Sequence, residues 1–244
     1  MEQGLAGGLA FVSLALPTGW YWLKKGQSKT QSWQNLEQRW LGRTAEIFYF
    51  VGLPYLALLF GLLTPKLLGL KGLEHFALIS TSNLSMVSLA VSAQKAITLM
   101  LVESLVDSGV MIGAGLIGLI ILGGITLGLA RYGISVGTFQ TSVVDTIYYC
   151  LHWAFYRAIF WSMTGDLYLG VVLGGGLVML EGGVIIWLQQ GWPAQLSSPF
   201  LMEVIVLILT SVIFFYCPNL WLLWPIHLAM VVLIKNKSLL KEVK

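Results

Sequence analysis

The chain reads as a series of apolar blocks separated by short polar or basic intervals. The first block runs from Gly4 to Leu23 and is followed by Lys24, Lys25, Lys29, Arg39 and Arg43, with Glu37 the one acid among them. A second, Ala45 to Leu63, closes at Thr64-Pro65-Lys66, a stop signal for a helix. Between Leu67 and Asp107 the pattern weakens. Residues 76–101 are apolar enough to be helical, but they are rich in serine and threonine and bounded by Glu74 and Glu103. They are read as an amphipathic or re-entrant helix on the outer face.

Four further blocks are clear, and a fifth follows a turn. Val110 to Leu129 contains Gly113, Gly115, Gly118, Gly123, Gly124 and Gly128, and ends at Arg131. Small residues of this kind let helix backbones approach closely in lipid. Val143 to Trp161 holds most of the polar chemistry, and Leu167 to Leu188 places six glycines around Glu181. Phe200 to Phe215 comes next, and Leu220 to Ile234 follows the Pro218-Asn219 turn signal. Since a bilayer span needs roughly 20 mainly apolar residues, these blocks predict an all-α polytopic membrane bundle. It would form one domain over residues 1–244, with about seven transmembrane helices and one surface or re-entrant helix.

Composition agrees: 57% of the 244 residues are hydrophobic and 10% charged, which excludes an ordinary soluble chain, a disordered one and a disulfide scaffold. Cys150 and Cys217 fall in or beside apolar blocks and are read as buried thiols. The net charge of +3 comes from short basic stretches that fit membrane flanks rather than nucleic acid. Seven spans counted from an outside amino terminus put the first basic loop, Arg131 and Lys235, Lys237, Lys241 and Lys244 in the cytoplasm, as the positive-inside rule requires. Taking residues 76–101 as an eighth span would leave either the first loop or the carboxyl terminus outside. The expected location is the plasma or inner membrane. Glu2 and the lack of a small-residue cleavage pattern after Pro17 argue against a cleaved leader.

A charge near the bilayer centre costs roughly 2.5–3.5 kcal/mol, so each one retained there is a site candidate. Asp145, the pair His152 and Arg157, Glu181 and His227 qualify. At helical spacing Asp145, Tyr149, His152 and Tyr156 fall on one stripe, with Arg157 on its neighbour. Asp145 lies close to a block end, where reaching the interface is easy. Glu181, ringed by glycine and aliphatic residues, needs a proton or a cationic partner such as Arg157. His227 follows Pro225, which frees a backbone carbonyl.

At the fourth block His152-Trp153-Ala154-Phe155-Tyr156-Arg157 resembles the first motif of the CAAX-protease and bacteriocin-processing family, two glutamates followed three residues later by arginine. Arg157 matches, while His152 and Trp153 stand where the glutamates would be. His227 resembles the family's second histidine, although Val231 replaces the asparagine or aspartate four residues on. Where the first histidine would fall, the fifth block offers Glu181, with Leu177 four residues before it. The resemblance covers residues 143–234. It implies a polytopic helical scaffold in which glutamates and histidines activate water for peptide hydrolysis.

Most of that equipment is replaced, so the expected function is a non-catalytic membrane interaction or assembly protein. Its partners would be the lipid bilayer and another membrane protein, and His152, Arg157, Glu181 and His227 would form its polar core. One alternative is a cofactor-binding subunit in which His152 or His227 ligates haem or a chlorophyll-type pigment. Another is an atypical hydrolase using Glu181 and His227, with His152 assisting. A transporter also fits glycine-broken helices with buried charges. His152, Glu181 and His227 could supply a zinc set, but no close-spaced ligand pair anchors one, and no metal is expected.

Overall fold

A computed structural model describes residues 4, 7–13, 15, 16, 19, 43–71, 73, 86–131, 142–190 and 198–242. Among them the secondary structure is helix and turn, with no strand. The elements are α1 (7–13), a π-helical turn Phe48–Gly52 entered from helical residues 43–47, α2 (Leu53–Leu59), α3 (Met86–Arg131), α4 (Val143–Thr164), α5 (Leu167–Gln190), α6 (Ser198–Tyr216) and α7 (Leu220–Glu242). Ala93–Leu129 and Leu167–Leu188 are long and apolar enough to cross a membrane, while Phe200–Tyr216 and Leu220–Lys235 are shorter apolar helices. Large apolar side chains stand in the open, Val106 and Ile120 at 73% exposure. A water-soluble monomer rarely shows so extensive an apolar surface.

One boundary expectation is corrected. The apolar pattern separates residues 76–101 from 110–129, but from Met86 onward they form a single helix, α3. Glu103 and Asp107 interrupt the apolar run without breaking the helix, since Leu101 to Ser108 contains neither glycine nor proline. Residues 74–85 lie outside the described set, as does the basic stretch 24–39.

The chain divides into two compact units. The first comprises Met1–Leu63 and Leu151–Gln195, and it is organised around the hairpin of α4 and α5. Gly165 turns that hairpin with φ 69°, a conformation that side chains disfavour. The Asp166 carboxylate accepts the Tyr168 and Leu169 N–H groups at 2.7 and 3.1 Å, capping α5. A methyl at Gly170 would lie 2.7 Å from the Trp161 side chain, and one at Gly174 would lie 2.7 Å from the Arg157 backbone nitrogen. These two glycines, four residues apart, therefore set the close approach of α5 to α4. Residues 152–159 of α4 are buried on every side.

The second unit comprises Thr64–Cys150 and Leu196–Lys244. In it α3 packs on α6 and α7, which also pack on each other. Of the glycines on α3, Gly115 meets Ile226 and Gly118 meets Met230, whereas Gly113, Gly123, Gly124 and Gly128 face open space. Tight packing thus accounts for two of the six glycines that the sequence singles out. The turn before α7 is tied to the 64–73 segment by the Leu220 N–H donating to the Gly69 carbonyl at 2.7 Å.

Candidate functional site: a buried carboxyl, phenol and imidazole cluster

Glu181 lies two helical turns beyond Gly174 on the same face of α5, so the glycine contact also brings its carboxyl against α4. There the His152 Nε2 stands 3.2 Å from Glu181 Oε2, and the Tyr156 hydroxyl is 3.0 Å from the same oxygen. These two residues are one turn apart on the stripe read from the sequence. The other carboxyl oxygen, Oε1, is 2.8 Å from the Tyr49 hydroxyl.

Tyr49 comes from the π-helical turn. Such turns shift side-chain register and recur at functional sites. Its hydroxyl lies 3.1 Å from that of Tyr156 and 3.0 Å from the Ser13 carbonyl. The Ser13 hydroxyl donates to Tyr156 at 3.0 Å. All five residues belong to the first unit.

Aromatic rings enclose the imidazole. Tyr49 and Tyr156 have ring centroids 4.5 Å from His152, and Phe50 is at 5.1 Å. Its Nδ1 is buried with no hydrogen-bond partner among the described residues. With Nε2 against a carboxyl and Nδ1 buried, His152 does not present a nitrogen to a porphyrin or chlorin, so the geometry does not fit the pigment alternative at this residue. Among the described residues no three His, Cys, Asp or Glu side chains converge as a metal site.

The remaining candidates have other surroundings. Arg157 is buried on α4, and its Nε–H donates to the Trp153 carbonyl at 3.1 Å. It adjoins the cluster in sequence, but the described hydrogen bonds of Glu181 go to two phenols and an imidazole instead of this guanidinium. His227 is buried on α7 and belongs to the second unit. Asp145 begins α4: it accepts the Ser142 N–H at 2.9 Å while the Ser142 hydroxyl accepts its own N–H at 3.1 Å, a reciprocal cap.

A second polar group, not singled out in the sequence, lies in the second unit. Lys71 Nζ is 2.8 Å from Asp107, and the fully buried Asn219 donates to the same carboxylate oxygen at 3.2 Å. Asn219 also caps α7 by accepting the Trp221 N–H at 3.1 Å. The hydrogen bond with Asp107 raises Lys71 above the usual lysine range. Burial, then the charge of Asp107, pushes the Cys217 thiol up to about 11.

Compared with known proteins, the chain matches no protein-family model, no curated protein and no solved structure.

Proposed function

We propose that this chain is an integral membrane protein of seven spans, with its amino terminus outside and its carboxyl terminus cytoplasmic, that works as a non-catalytic interaction or assembly protein. The observation that carries the functional reading is the closure of the Glu181 carboxyl. Both oxygens are engaged by Tyr49, Tyr156 and His152, so the group holds α5, α4 and the π-helical turn together instead of facing a scissile bond. These contacts are made within a unit to which His227 does not belong.

Topology has separate support. Seven spans place Lys71, Asp107 and Asn219 on one side of the membrane, and these three residues meet. A crossing between residues 71 and 107 would separate them.

His152 and Glu181 stand where the CAAX-protease pattern has glutamate and histidine, with the residue types exchanged, and they touch at 3.2 Å. That contact favours a retained scaffold. It also motivates the second reading, an atypical intramembrane hydrolase, in which Glu181 acts as base.

The test uses the full chain in native membranes with a photoreactive residue at Val172 or Leu180, both exposed on α5. An interaction protein gives a discrete protein adduct at one of these sites. Lipid adducts alone, together with cleavage of a transmembrane peptide by purified protein that E181Q abolishes, would replace this reading with the hydrolase. Release of the chain from membranes by an alkaline carbonate wash would overturn the membrane assignment itself.

A further inference from the structure

Two sides of α3 differ in what covers them. Met111, Gly115, Gly118 and Leu122 follow one another at three- and four-residue spacing on the side packed against α6 and α7, where Met111 and Leu122 are buried. Asp107 and Glu103 precede Met111 on that side by one and two turns. The opposite side carries Leu105, Val106, Gly109, Val110, Gly113 and Ile117. Its four larger residues are each more than half exposed, and a methyl on either glycine meets nothing within 4 Å among the described residues. Glu103 and Asp107 are the only charged residues from Leu99 to Ile120, so this opposite side is apolar throughout.

Under the seven-span topology Asp107 marks the outer edge of the lipid. The strip therefore begins in water at Leu105 and Val106 and continues into hydrocarbon at Gly113 and Ile117. Lipid tails cover only the second part, and a run of apolar side chains exposed to water marks a protein contact. The occupant that fits is a helix that crosses the membrane beside α3 and continues past its outer edge. The α3 helix of a second copy does both, at the same depth and in the same direction. The strip is also complementary to itself. In a twofold pair each residue meets its own counterpart, so Gly109 and Gly113 let the two backbones approach, while Val106, Val110 and Ile117, already stiff at χ1, pack beside them with little loss of freedom.

We propose that two copies of this chain associate through this side of α3, with the helices crossing at Gly109 and Gly113. The proposal rests on the interaction-protein reading and its topology, and it names the partner as a second copy.

The test is disulfide crosslinking of the full chain in native membranes. Val106→Cys should give a product of twice the chain mass on mild oxidation, and V110C serves if V106C fails to fold. The wild type should give none, because Cys150 and Cys217 are buried. Adding G109I or G113I, both at open positions, should weaken formation of the V106C dimer by roughly tenfold. Monomer alone at both cysteine positions overturns the proposal, as does a dimer that neither glycine variant weakens or equal crosslinking at V172C on α5. An adduct of some other mass overturns it as well, but leaves the interaction-protein reading standing. That reading fails separately, when photoreactive residues at Val172 and Leu180 give lipid adducts alone and no copy-to-copy product forms at Val106.

Discussion

Gly174→Ala tests the packing that positions the cluster. The added methyl would lie 2.7 Å from the Arg157 backbone nitrogen, 2.8 Å from its Cα and 3.0 Å from its Cγ. Two of these three are backbone atoms inside a helix and cannot turn aside. Restoring ordinary contact, about 3.5 Å between heavy atoms, requires α5 to withdraw from α4 by about 0.8 Å. The Tyr156 and His152 contacts with Glu181, at 3.0 and 3.2 Å, then pass beyond hydrogen-bond reach. Overpacking costs about 1–3 kcal/mol and each of the two lost bonds about 1 kcal/mol, so G174A should destabilise the first unit by about 3–5 kcal/mol. Unfolding of the purified chain in mixed micelles, followed by tryptophan fluorescence, measures this. G175A is the control, because a methyl there meets nothing within 4 Å. Wild-type stability in G174A, or equal losses in the two variants, would refute the argument.

Three further outcomes follow from the second unit. Asn219→Ala removes the cap of α7 and one of the Asp107 contacts at a fully buried position, and should lower stability by about 1–3 kcal/mol in the same assay. Because Lys71 is raised in the folded state, its ion pair contributes fully below the unfolded lysine value and is lost as pH rises through the folded one. A stability titration should therefore show a small loss only at strongly alkaline pH, about 0.2–1 kcal/mol given the exposure of Lys71, and K71M should abolish it. Cys217, buried and held near 11, should react with iodoacetamide at neutral pH far more slowly in the folded chain than after denaturation, as followed by mass spectrometry.

Much of the helical layout was legible in the apolar blocks, because a block bounded by proline, glycine or charge tends to end where a helix ends. Val143 to Trp161 and Leu167 to Leu188 correspond to α4 and α5 within three residues. The exception is α3, where hydropathy falls but no glycine or proline interrupts Leu101 to Ser108. In the cluster, His152 and Tyr156 shared a stripe and Glu181 stood out as a lone carboxylate, so these could be singled out. Tyr49 and Ser13 could not. They reach Tyr156 across 107 and 143 residues, and a tyrosine in an apolar block reads equally well as an interfacial anchor. Asp107 was hidden for a related reason, since it served as a block boundary and its partners Lys71 and Asn219 lay in turns.

The 46 residues of α3 amount to a rod about 69 Å long, more than twice the roughly 30 Å hydrocarbon thickness of a bilayer. A steep tilt of about 40° would accommodate only about 26 residues, which leaves on the order of 20 standing clear of the lipid. Lys95, Glu103 and Asp107 all lie in the amino-terminal half, so under the proposed seven-span topology that half is the stalk, on the side where Lys71 and Asn219 meet. Its other half is packed through Gly115 and Gly118 against α7 and α6. On that topology a soluble factor or an antibody grasping α3 near Met86 would hold one arm of a lever whose other arm is packed against α6 and α7, and would turn buried helices without entering the membrane.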